Sequence, residues 1–188
     1  ILLNDASFEQ DIRELLMAFY PGETFTHKEE EAGEAELIVR GVRDGNSFSL
    51  DVTPVKKEAV HFALIYPDFS NRFETKNEIK QTLYRLLSAQ TGRELPWGTL
   101  TGIRPTKIAL TKLYDGWTDE QIETYMRETY FTSKEKIDLS IDVAERERRL
   151  LSTIDYENGY SLYVGIPFCP TTCLYCSFTS FPIVKWEK

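Results

Sequence analysis

Asp44-Gly45 narrows what this chain can fold into more than any other pair in it. It stands between residues 36–42 and 46–52, two short runs in which apolar and polar side chains alternate. An Asp-Gly pair in that setting predicts a β-hairpin, because glycine reaches the backbone angles that a tight turn needs without steric cost. A third run, residues 59–66, is rich in apolar and aromatic side chains and closes at Pro67. On either side of these strands the apolar period changes from two to about 3.6. Phe8, Ile12, Leu15, Leu16 and Phe19 share one helical face behind a capping-box pair, Ser7 and Gln10, and Pro21-Gly22 stops that helix. Ile79, Leu83, Leu86, Leu87 and Gln90 mark a second helix, ended by Thr91-Gly92. A sheet with one apolar face has to be covered, and two amphipathic helices cover it. Residues 1–92 therefore read as an α+β domain with a mostly antiparallel sheet and two helices. Ile1-Leu2-Leu3 reads as the tail of a strand, HKEEEAGEAE as a solvated loop, and His61 as a structural residue within a strand.

Residues 93–155 read as a connecting loop and a helical segment. Pro105 suits the first turn of a helix that runs to Leu113 and ends at Gly116. Thr118 and Gln121 form a second capping box, and Ser133 caps a third helix through Ile137, Ala144 and Leu151. The stretch ERERR mixes signs, as a solvent-facing, salt-bridged surface does. The loop LPWGTLTGIRPTK brings Arg104 and Lys107 to a helix start, where free N–H groups and two cations can hold a carboxylate or phosphate. Its other reading is geometric, with Trp97 and the glycine turns locking two regions together. After Asn158-Gly159, the run YSLYVGI predicts a strand closed by Pro167, which opens straight into a cysteine-bearing loop. A β/α barrel offers its chemistry in that way, at the C-terminal end of a strand, so residues 156–188 read as the start of one.

Composition removes several classes. At 188 residues with 41% hydrophobic side chains the chain can bury a sizeable core, and no apolar run approaches the roughly 20 residues of a membrane helix. Nothing resembles a secretory leader, so the cytoplasm is the expected compartment. A formal charge of −8 argues against a general nucleic-acid binder. The deficit is uneven: residues 1–90 carry 16 acids against 10 bases, and residues 91–188 carry 14 against 12, which leaves room for a basic pocket in the second half. Ile1 in first place, and Lys188 without a closing element, read as the ends of a piece of a longer protein. A barrel strand without its neighbours would be an edge open to pairing with a second copy.

Cys169, Cys173 and Cys176 are three thiols with three and then two residues between them. They are too few and too close for a disulfide framework. A structural zinc site needs a fourth ligand, and a zinc-stabilised binding module keeps that option only if the ligand comes from elsewhere. A redox C-x-x-C would use Cys173 and Cys176 and leave Cys169 unexplained. A [4Fe–4S] cluster held by three thiolates keeps one iron open to a small ligand, and this reading uses all three.

The motif C-P-T-T-C-L-Y-C resembles the C-x-x-x-C-x-aromatic-C signature of the radical S-adenosylmethionine (SAM) superfamily. The longer run YVGIPFCPTTCLYCSF resembles the oxygen-independent coproporphyrinogen III oxidase family, and WGTLTGIRPTK before it resembles the HemZ branch. The resemblance implies that the three cysteines ligate three irons while the fourth iron chelates SAM. Reduction of SAM would then yield a 5′-deoxyadenosyl radical that takes hydrogen from propionates of coproporphyrinogen III, leaving vinyl groups after loss of carbon dioxide. It also implies that Tyr175 and Tyr163 lie near SAM, and that a one-electron donor such as flavodoxin or ferredoxin is a partner. Gly165 stands where the best-studied branch has histidine, and Ser177-Phe178 where it has another cysteine. Relatives in the same family handle haem without this oxidation, which is the alternative substrate reading. The chain alone, lacking most of a barrel, is expected to be inactive.

Overall fold

The computed structural model describes residues 1–55, 60–102, 104–155, 158–160, 162–171, 176, 178 and 181–183. The chain divides into two compact units, Ile1–Arg149 and Leu150–Lys188.

The first unit is built on a four-stranded sheet in the order β1 (Leu2–Leu3), β2 (Leu37–Asp44), β3 (Ser47–Pro54), β4 (His61–Ile65). β2–β3 and β3–β4 are antiparallel, and only the short β1 runs parallel to its neighbour. This is the α+β class and the mostly antiparallel sheet expected from the sequence. The hairpin is tighter than the Asp44-Gly45 reading. Asp44 pairs with Ser47, and Gly45 takes the first loop position at φ 55°, where a side chain would be strained. Asn4 extends β1 by one rung with its side chain, accepting from the Arg43 N–H at 2.7 Å and donating to the Arg43 carbonyl at 2.9 Å.

Register decides which face is buried. Phe48, Leu50 and Val52 of β3 stand opposite Ile65, Ala63 and His61 of β4 on the core face, which puts Phe62 and Leu64 on the solvent face. α1 (Glu9–Phe19) and α2 (Arg72–Thr91) cover the core face. Their Phe8, Ile12, Leu15, Leu16, Phe19, Ile79, Leu83 and Leu87 pack with Val39, Phe48, Leu50 and Val52. Two local details differ from expectation. The N-terminal cap before α1 is Asp5, whose carboxylate accepts from the Ser7 N–H at 2.9 Å, and Ala6–Phe8 form a 3-10 turn. An ionised carboxylate is a stronger acceptor than the Ser7 hydroxyl, and Gln10 turns instead to Glu14. The acidic run expected as a loop forms a 3-10 helix over Glu29–Glu34, where Glu31 accepts from Thr26 and Lys28.

The helical segment follows the sequence pattern closely. α3 (Thr106–Tyr114) starts after Pro105, α4 (Asp119–Tyr130) carries the full Thr118/Gln121 capping box, and α5 (Lys134–Leu151) follows Ser133. Ala109, Leu113, Ile122, Met126, Ile137, Ile141 and Ala144 form a second core.

In the second unit the strand expected over 160–166 is not found among the described residues. Residues 160 and 162–167 belong to no strand, and a strand without a ladder partner has no hydrogen bonds to define it. The pairing starts later, with β5 (Phe168–Cys169) parallel to β6 (Phe181–Pro182) and the Phe181 N–H donating to the Pro167 carbonyl at 2.7 Å.

Candidate functional site

Pro167 accepts the first β6 hydrogen bond, and β5 with its Cys169 follows it directly. Cys169 ends β5, and the Cys176 thiol donates to the Phe178 carbonyl at 3.7 Å. Both thiols are free and half-buried. Cys173 and Tyr175 lie outside the described residues. Tyr163 is 81% exposed on the extended run before the loop. Among the described residues no three His, Cys, Asp or Glu side chains come close enough to hold a metal. The donor type nonetheless fits an iron–sulfur group: two unpaired soft thiols on one short loop, with neither drawn into a disulfide.

The second predicted location lies in the first unit, where residues 95–107 cross from one core to the other. The Tyr84 hydroxyl accepts from the Leu95 N–H at 2.9 Å, the Pro96 carbonyl accepts from Ser133 N–H at 2.9 Å, and Thr99 N–H donates to the Tyr130 carbonyl at 2.8 Å. Gly98 takes φ 57°, and a Cβ there would stand 1.9 Å from the Tyr130 carbonyl oxygen. Phe131, itself left-handed at φ 58°, meets Tyr84 of α2 in a tilted ring contact with centroids 5.6 Å apart. The locking role read from the glycines and Trp97 is thus visible in the backbone of this loop.

Beyond the lock the same loop carries charge. Arg104 forms an ion pair with Glu147 of α5, and Lys107, in the first turn of α3, makes no ion pair among the described residues. A carboxylate, that of Glu147, already sits at Arg104 beside this helix start. The structure brings Arg104 and Lys107 to one end of α3 and leaves the cysteines in the other unit.

Three residues escaped the sequence reading. Lys80 is only 7% exposed, and its ammonium donates to the Thr101 hydroxyl at 2.8 Å. Thr101 donates in turn to Glu14 Oε2 at 2.8 Å, and Gln10 donates to Glu14 Oε1 at 3.0 Å. Burial holds the Lys80 pKa below that of an ordinary lysine, against the opposing pull of Asp11 and Glu14. Partial burial pushes Glu14 upward, but hydrogen bonds from Thr101 and Gln10 and the charges of Lys80 and Lys76 together outweigh it and leave its pKa lowered. The available signal was a lysine inside an apolar stripe: Leu83, Tyr84 and Leu87 stand at i+3, i+4 and i+7 from Lys80. Beside this network Met17, Ala18, Trp97, Leu100 and Pro105 line an open groove of about 580 Å³.

No helix among the described residues is long and apolar enough to cross a membrane. No protein-family model and no solved structure matches the chain. One curated protein does: the chain is 36% identical over 135 residues to the oxygen-independent coproporphyrinogen-III oxidase-like protein HemZ of Bacillus subtilis (strain 168). The match covers 70% of this chain and 26% of HemZ, so the chain spans about a quarter of the length of that relative. Over those residues the chain is similar to this coproporphyrinogen-III oxidase-like protein, in agreement with the resemblance carried by its motifs.

Proposed function

We propose that this chain is the amino-terminal part of a radical SAM oxidoreductase that converts propionates of coproporphyrinogen III to vinyl groups without oxygen, in haem biosynthesis. The observation that carries the reading is the 36% identity to a coproporphyrinogen-III oxidase-like protein in a chain that also holds the C-x-x-x-C-x-aromatic-C motif. A [4Fe–4S] cluster bound by Cys169, Cys173 and Cys176 would supply the electron that cleaves SAM. The loop's part is to present three thiolates from one short segment, with Tyr163 and Tyr175 flanking the SAM site. Arg104 and Lys107 are assigned to a substrate carboxylate, supported by the carboxylate of Glu147 that Arg104 already pairs with. Residues 156–188 open the barrel, residues 1–92 form an α+β domain ahead of it, and residues 93–155 are the connecting loop and helical segment. A flavodoxin or ferredoxin type of donor delivers the electron in the cytoplasm, nucleic acid plays no part, and this chain alone does not turn over substrate.

The test is anaerobic. The longer protein, reconstituted with iron and sulfide, is given SAM, a reductant and coproporphyrinogen III. Formation of 5′-deoxyadenosine with vinyl products, both lost on Cys169→Ser, Cys173→Ser or Cys176→Ser, is the expected result. A reconstituted protein that never cleaves SAM ends the reading. Cleavage of SAM without vinyl products, together with haem binding, would move the assignment to the haem-handling relatives.

A further inference from the structure

We infer that Lys80, Thr101 and Glu14 form a latch that holds the turn entering α3 in one arrangement and thereby sets where Arg104 and Lys107 are presented. The presentation of those two cations to a substrate rests on the carboxylate-binding role proposed above; the latch itself does not. Its three members come from three elements: Glu14 from α1, Lys80 from α2 and Thr101 from the loop, 87 and 21 residues from its two partners. The Thr101 hydroxyl accepts from the ammonium and donates to the carboxylate, so one hydroxyl ties both helices to the loop.

Among the described residues, few other interactions define this turn. Upstream the loop is fixed as far as Thr99, through Tyr130. Downstream Arg104 reaches Glu147 across an exposed ion pair, which holds a side chain weakly. Gly102 has open space where a Cβ would be, and the neighbouring Met17, Trp97 and Pro105 line a groove, while Leu100 just before the latch packs against the second core. Hydrogen bonds with direction are therefore what select one conformation here. An aliphatic side chain in place of Lys80 would fill the same apolar stripe without desolvating a charge, so this lysine contributes a unique arrangement rather than net stability.

The latch also has a pH signature. The charges facing Lys80 are Asp11 and Glu14 from α1 and Lys76 from its own helix, and Thr101 is the polar partner from the loop. Because the folded-state pKa of Lys80 is lowered, its charged form costs stability at every pH below that value. The cost disappears as pH rises towards the ordinary lysine range. The same rise removes the attraction to Glu14 and Asp11. Global stability from this group thus climbs with pH while the order of the turn declines.

Amide hydrogen exchange at Leu100 and Lys107, which donate to the Trp97 and Arg104 carbonyls on either side of the latch, reads the turn directly. In Thr101→Val and Lys80→Met both amides should exchange about tenfold faster, in Thr101→Ser at the wild-type rate, and the melting temperature of Lys80→Met should not fall. Wild-type exchange in Thr101→Val, or Thr101→Ser exchanging as fast as Thr101→Val, overturns the latch. In the longer protein, coproporphyrin III serves as a stable tetracarboxylate probe. Weaker binding of it by Thr101→Val but not Thr101→Ser supports latch and presentation together. Faster exchange with unchanged coproporphyrin III binding leaves the latch standing and removes Arg104 and Lys107 from the substrate reading.

Discussion

Glu14 shows how one side chain can depend on residues from three elements. Its carboxylate is the counter-charge for a lysine that is almost wholly buried, and it is held by hydrogen bonds from Thr101 and Gln10. Glu14→Gln keeps the shape and removes the charge, which should cost about 1–2 kcal/mol in urea unfolding at neutral pH, since Lys80 then loses a compensating charge. The pH dependence follows from the lowered carboxyl pKa. The advantage of wild type is fully present above the ordinary glutamate range and shrinks as pH falls through the folded-state value. A difference between the two proteins that is independent of pH across that window would show that the charge of Glu14 contributes nothing.

At the scale of elements, the sheet divides sharply into two faces, and β3 and β4 show the division best. Leu50 is fully buried against α1 and α2, whereas Leu64, one rung away on the other face of β4, is 46% exposed. Leu50→Ala should cost about 2–5 kcal/mol through the cavity it leaves, and Leu64→Lys should change stability by less than about 0.5 kcal/mol, both read from denaturant midpoints. A large loss in Leu64→Lys would mean that the register of β4 is wrong by one residue. Both faces were legible in the alternation of residues 46–52, and both helices in their 3.6 period. The edges were not. Pairing ends where hydrogen-bond partners end, which is why the hairpin extends to Asp44 and Ser47; among the described residues of the run at 160–166 no strand is found.

For the whole of the first unit, the question is how two cores become one body. The lock is the contact of Gly98 with Tyr130, reinforced by Thr99, Ser133 and the tilted ring contact of Phe131 with Tyr84. Gly98→Ala places a Cβ inside the Tyr130 carbonyl and strains a left-handed backbone, for an expected loss of about 3 kcal/mol or more. Its distinctive outcome is decoupling. Calorimetry should show one unfolding transition for Ile1–Arg149 in wild type and two in Gly98→Ala, because each core keeps its own helices. A single transition in both proteins would place the coupling elsewhere.

The chain's order of residues determined whatever depends on neighbours a few positions apart. That includes the hairpin turn, the two helical faces of the first domain, the Thr118/Gln121 capping box and the spacing of the three cysteines. Tertiary structure alone decided what joins distant positions. It set Lys80 against Thr101 and Glu14, Gly98 against Tyr130 and Arg104 against Glu147, at separations of up to 87 residues. Local patterns carry the free energy of turns and amphipathic burial. The partner of a buried charge or of a glycine's open side is chosen only when separate elements pack together, and no local pattern encodes that choice.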